Sequence, residues 1–209
     1  MFHYLTMQDE TVLLANAQSG DREALARLLM LYGGQAYRLA LGIVRNHHDA
    51  EDVMQESHLN AYRHLAQFRG ESRFATWLMK IVARQAVTAV RRRSLRREVS
   101  LEDALETDDE RLTLYLDVDP GEDPEARAVK EELRRILGAA IEKLDPSCRV
   151  VFVMRELAGF SLEEIAGAAD VSIAAVKARL FRGRRKLYRW MLKRIGGGGR
   201  PPMLAHADT

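Results

Sequence analysis

Residues 161–187 run SLEEIAGAADVSIAAVKARLFRGRRKL, two helical patterns with only a few residues to turn between them. Ser161 and Glu164 stand at the S-x-x-E spacing of a capping box, so a helix is predicted to start there and run through LEEIAGAA. Asp170 falls where a tight turn favours glycine, and aspartate is among the few residues that tolerate a left-handed backbone. Ser172 can then cap the next helix. Two helices joined this closely, with small Ala166 inside the first, make a helix-turn-helix. On the second helix Ile173, Val176, Leu180, Leu187 and Met191 share the face that must pack inward. The opposite face carries Ala174, Ala175, Ala178, Arg182, Arg185 and Arg189, with Lys177 and Arg179 at its flanks. Small residues there admit close approach to a major groove, flanking cations reach guanine, and later arginines meet phosphates. A solvated amphipathic helix is the plainer alternative, but such faces mix both signs of charge, and residues 171–194 hold no acid.

The whole chain of 209 residues nets only +2, so the compensating charge lies elsewhere. Residues 100–126 hold eleven acids against one cation, Arg111, a local balance of −10 that leaves +12 for the rest. A second basic block, Lys80, Arg84, Arg91, Arg92, Arg93, Arg96 and Arg97, occupies residues 80–97 without an acid. Two basic blocks around an acidic middle point to a polyanionic partner more than the total charge does. An apolar content of 47% with 30% charge fits a soluble globular chain of one domain or two small ones. No apolar run approaches the roughly 20 residues that span a bilayer, and the start MFHYLTMQDE lacks a signal-peptide pattern, so a cytoplasmic protein, not membrane-embedded, is expected. Cys148 stands alone, as in a reducing compartment, and excludes an internal disulfide. Adjacent His47 and His48 cannot both face one metal from a helix, and no ligand spacing is present, so neither metal nor cofactor is expected. No nucleophile-base pair or phosphate loop points to an enzyme.

The periodicity is helical almost throughout, which predicts an all-α fold of two small helical domains joined by an acidic flexible linker. Residues 11–45 carry apolar positions at three- and four-residue steps, broken by SGD into a short helix and a longer one. A third helix fits HDAEDVMQESHLNAYRHLAQF, RGES interrupts, and a fourth runs from about Arg73 through the arginine block. The acidic stretch with Pro120, Gly121 and Pro124 reads as linker, periodicity returns from Pro124 to about Ile195, and GGGGRPP begins a flexible tail. On the fourth helix Trp77, Lys80, Arg84, Thr88 and Arg91 form one stripe headed by the aromatic. An aromatic beside cations holds single-stranded nucleic acid, the bases stacking at roughly 1–3 kcal/mol each. A lone Trp in a bundle is also often core, and spacing leaves both readings open.

Three motifs, DAEDVMQE (residues 49–56), FRGESRFATWL (residues 68–78) and the run from Leu144 to Leu187, together resemble the extracytoplasmic-function group of bacterial sigma-70-family RNA polymerase sigma factors. The resemblance implies that residues 8–97 are region 2, which binds the polymerase clamp and melts the minus 10 element. It makes 98–124 the linker, 125–195 region 4, which reads the minus 35 element and binds the flap, and 196–209 the tail. It assigns Asp49, Asp52, Gln55 and Glu56 to contact with core RNA polymerase, although acids at a helix start are also favoured by the macrodipole. It assigns Arg73 and Trp77 to capture of an unpaired promoter base, and residues 172–182 to the recognition helix. Promoter DNA, core polymerase and an anti-sigma factor are the implied partners, and the linker would thread polymerase channels as a polyanion mimic or be simply solvated. His58 replaces an aromatic usual in the family, Arg84 replaces a base-reading Asn, and Asp170, Ala174, Ala175 and Ala178 replace Gly, Gly, Thr and Ser. A stand-alone helix-turn-helix repressor would explain the C-terminal half only.

Overall fold

In a computed structural model the described residues, 7–99 and 123–195, form eight α-helices with no strand among them. Helix α1 (Met7–Gln18), α2 (Arg22–Val44), α3 (His47–His64) and α4 (Phe74–Val99) make the first unit. A 3-10 turn, Leu65–Gln67, closes α3. Helix α5 (Pro124–Glu142), α6 (Pro146–Phe152), α7 (Leu162–Ala169) and α8 (Ile173–Ile195) make the second, with a π-turn at Val153–Leu157 continuing α6. The predicted breaks at SGD and RGES fall between α1 and α2 and between the 3-10 turn and α4. Of the predicted linker and tail, residues 100–122 and 196–209 lie outside the described residues.

Local chemistry sets the helix starts. The Asp21 carboxylate accepts from the amides of Glu23 at 2.8 Å and Ala24 at 3.1 Å, and Asn46 accepts from Asp49 at 2.8 Å. Between them Arg45 ends α2 in the left-handed conformation, so α2 and α3 are joined through two residues. Asp145 accepts from the Cys148 amide at 3.2 Å, and Pro146 occupies the first turn, where its missing N–H costs nothing. Gly159, at φ 72°, reverses the chain after the π-turn, and Arg155 donates to the Phe160 carbonyl across that reversal.

Each unit buries its own apolar stripe. Leu28, Ile43, Phe74, Leu78 and Val82 fill the first, and Ile141, Val151, Met154, Ile165 and Val176 the second. Each such side chain contributes roughly 1.5–3 kcal/mol. The units pack on one another, α4 against α7 and α2 against α6 and the π-turn. Buried side chains of both therefore belong to one continuous cluster.

Candidate nucleic-acid interface

The helix-turn-helix forms as its caps dictate. Ser161 Oγ accepts from the Glu164 amide at 3.1 Å while Glu164 Oε2 accepts from the Ser161 amide at 2.8 Å, the reciprocal bonds of a capping box. Asp170 ends α7 at φ 48°, ψ 55°, and its amide donates to the Ala166 carbonyl. Ser172 Oγ accepts from the Ala175 amide at 3.2 Å and starts α8, so the Ser172 hydroxyl is committed first to a cap.

Helix α8 presents the predicted faces with two adjustments. Val176, Leu180 and Leu187 are buried, whereas Ile173 in the first turn is 40% exposed. Ala174, Lys177, Ala178, Arg182, Arg185 and Arg189 face solvent, while Ala175 and Arg179 are half-buried. The Arg182 guanidinium lies beside the Cys148 thiol; burial and neighbouring Asp145 push that thiol up, and Arg182 opposes them. Arg184, off the outward face, pairs with Glu156. Exposed Phe181, on the same helix, carries no polar signal and escaped the sequence reading.

On α4 the stripe is real, and its members differ in freedom. Trp77 is half-buried, its ring centroid 5.3 Å from Phe68 and 5.6 Å from Phe74, so it caps an aromatic cluster yet keeps a solvent edge. Both readings of Trp77 thus have a physical basis. Arg73, immediately before α4, and Arg84 are exposed. Thr88 donates its hydroxyl to the Arg84 carbonyl at 2.9 Å, which leaves its oxygen only as an acceptor. Lys80 Nζ lies 2.8 Å from Glu164 Oε1 of α7, and the Lys80 and Ser161 hydrogen bonds hold the Glu164 carboxyl below its ordinary range. Arg91 donates to the Ala169 carbonyl and approaches Asp170 at 3.9 Å.

On α3, Asp52, Gln55 and Glu56 share an exposed face that continues into Leu59 and Tyr62, 50% and 52% exposed. Their three- and four-residue continuity with Gln55 and Glu56 was the available signal for these two apolar members. Asp49 is turned elsewhere: half-buried, it bonds Arg93 of α4 at 3.0 Å. His58, on the other side of α3, has its imidazole pKa lowered by burial, and its Nε2 is enclosed without a hydrogen-bond partner. The tighter packing expected of an aromatic is thus replaced by an unsatisfied polar atom.

A capped helix-turn-helix and a cationic stripe headed by an aromatic, touching where Lys80 and Arg91 of α4 meet α7, characterise this all-helical protein. The chain matches the family Sigma-70 region 2 over residues 28–96 and the family Sigma-70, region 4 over residues 134–187. It is 35% identical over 182 residues to the ECF RNA polymerase sigma-E factor of Haemophilus influenzae, covering 85% of this chain and 93% of that protein. It is 30% identical over 186 residues to the RNA polymerase sigma-H factor of Pseudomonas aeruginosa, covering 88% and 94%. In fold it is similar to the sigma factor RpoE in complex with the anti-sigma factor NepR from Bartonella quintana, with TM-score 0.55, 19% identity and coverage of 79% and 95%. The chain belongs to the extracytoplasmic-function group of the sigma-70-family RNA polymerase sigma factors. No helix among the described residues is long and apolar enough to cross a membrane.

Proposed function

We propose that this sigma factor binds core RNA polymerase through the α3 face of Asp52, Gln55, Glu56 and Leu59 and directs initiation through two DNA surfaces. Arg73, Trp77, Lys80, Arg84, Thr88 and Arg91 take the minus 10 element and the strand melted there. Ser172, Ala174, Ala175, Lys177, Ala178, Arg179, Arg182 and Arg185 take the minus 35 element in the major groove. Asp49, held by Arg93, joins the polymerase contact at the edge of that face. The domain division is residues 8–97 and 125–195, with 98–124 as the acidic connection and 196–209 as the tail. The protein works in the cytoplasm as a binding factor without a catalytic step of its own, and an anti-sigma factor is its regulator.

The observation that carries this reading is the placement of Trp77, half-exposed at the head of the α4 cations and separate from the α8 face. A repressor needs one such surface, whereas initiation needs one for duplex and one for separated strands. Run-off transcription with purified core polymerase tests it. Transcripts should start downstream of a defined promoter only when the protein is added, and DNA binding without transcription would refute the reading.

A further inference from the structure

Gly33 and Gly34 stand together midway along α2, although glycine is the poorest helix former after proline. Packing does not ask for them. Neither has a positive φ; a Cβ added at Gly33 would meet nothing within 4 Å, and one at Gly34 would touch Arg38 Nη1 at an ordinary 3.5 Å. Gly34 does lie on the wall of an open cleft of about 450 Å³, formed by Glu10 of α1 with Leu31, Tyr32, Gln35 and Arg38 of α2. A mid-helix glycine that no neighbour requires, lining a cleft, keeps a place bare for the close approach of something else.

The cleft's polar groups suit one kind of guest. The Tyr32 hydroxyl donates to the Glu10 carboxylate, and burial together with that bond pushes the Tyr32 pKa up to about 12, so the phenol stays neutral and keeps its hold on Glu10. A carboxylate offers about four acceptor sites, which leaves Glu10 acceptors for a second partner. Exposed Gln35 brings an amide, Arg38 a cation, and Leu31, 45% exposed, an apolar surface. Among the four DNA bases guanine alone shows two adjacent donors beside an acceptor on its pairing edge, N1–H and N2–H next to O6. A carboxylate beside an amide donor is the complement of that edge.

The cleft adjoins the start of α4. The Tyr32 ring lies 6.0 Å from Phe74, Phe74 lies 5.6 Å from Trp77, the charge of Arg73 reaches Tyr32, and Gln35 also borders a smaller gap with Ala75 and Thr76. A strand held at Trp77 and Arg73 can therefore run on into it. We propose that the cleft is a second base pocket that receives an unpaired guanine of the melted nontemplate strand, with Glu10 accepting from N1–H and N2–H, Gln35 donating to O6 and Gly34 giving room for the ring. The proposal rests on the reading of α4 as a surface for separated strands. It gives the protein a sequence preference at a position other than the one Trp77 takes.

The test uses holoenzyme on premelted promoters, with guanine placed at each nontemplate position of the bubble in turn and the lifetime of the complex measured. At one position guanine should outlast the other three bases by roughly 5- to 160-fold, the range for a good bidentate base contact. Hypoxanthine, which lacks the 2-amino group, should fall between. Glu10→Gln keeps an acceptor for Tyr32 but replaces one carboxylate oxygen by a donor, and should erase most of the difference between guanine and hypoxanthine. Gly34→Leu favours the helix while filling the cleft, so it should raise the melting temperature and abolish the preference at that position; Gly33→Ala, which favours the helix but leaves the cleft open, should keep it. No guanine preference at any position, or one that survives both Glu10→Gln and Gly34→Leu, overturns the pocket; shortening of the same complexes by Arg73→Ala and Arg84→Ala then leaves the α4 reading standing. Loss of core polymerase binding in Gly34→Leu with base preference untouched makes the cleft a protein contact and also overturns the pocket. If Arg73→Ala and Arg84→Ala shorten no complex on any template, the α4 reading fails and the pocket falls with it.

Discussion

Trp77→Ala separates packing from melting. The ring contacts Phe68 and Phe74 at 5.3 and 5.6 Å but is only half-buried, so the truncation removes part of one aromatic cluster and opens no enclosed cavity. At roughly 0.5–1.5 kcal/mol per aromatic pair, two pairs put the stability loss at about 1–3 kcal/mol. That is less than the 3–5 kcal/mol typical of a fully buried Trp. Stacking of an unpaired base on the ring is worth about 1–3 kcal/mol, which predicts open-complex formation slowed by roughly 5- to 160-fold. Stopped-flow fluorescence of a promoter labelled in the melted region, with holoenzyme in excess, reads that rate. On a premelted promoter most of the defect should vanish, because the strands are already separated. Trp77→Phe should recover most of the stability and part of the rate. A loss well above 3 kcal/mol in denaturant titrations, or an equal defect on duplex and premelted templates, would refute the stacking role and make Trp77 simply core.

Three further outcomes follow from the same geometry. His58→Phe removes an enclosed, unpartnered Nε2 and should raise stability by about 1 kcal/mol in thermal melts. The lowered His58 pKa also means the unfolded chain binds its proton first, so wild-type stability falls as pH drops from about 6.5 toward the folded pKa; His58→Phe should lose that slope, and a retained slope would assign it to other groups. Arg185→Ala should weaken holoenzyme binding to preferred and scrambled minus 35 sequences alike and cut the salt slope by about one unit, whereas Arg179→Ala should cost about 1–3 kcal/mol on the preferred sequence and much less on the scrambled one. Equal losses for Arg179→Ala on both sequences would remove it from base reading. Ser161→Ala breaks the capping box and should cost about 0.5–2 kcal/mol in denaturant titrations, with Ser161→Thr restoring most of it; a neutral alanine would show that packing of Ile165 alone holds α7.

What could be read from the chain alone were the features governed by near neighbours. Caps at Ser161 and Ser172, the left-handed Asp170, the breaks around SGD and RGES, and the split of α8 into an apolar and a cationic face all depend on residues within about four positions, where helix geometry fixes who meets whom. Those rules also placed Trp77 and the α4 cations on one stripe. They could not decide whether Trp77 was core or free, because that depends on how Phe68 and Phe74 approach from outside the helix, and the answer is an intermediate burial. Nor could they place Asp49 against Arg93 or Arg182 beside Cys148. The contacts that join the units lie further still from sequence logic: Arg91 and the Ala169 carbonyl are 78 residues apart, and charge spacing says nothing about which of several carboxylates a cation will meet. Helix docking made those choices, since burying the apolar faces of α2, α4, α6 and α7 together brings Lys80 to Glu164, Arg45 to Glu142 and Arg91 to the end of α7. Local periodicity determined the helices and their faces; the packing of those faces alone decided which charges are paired and which stay exposed.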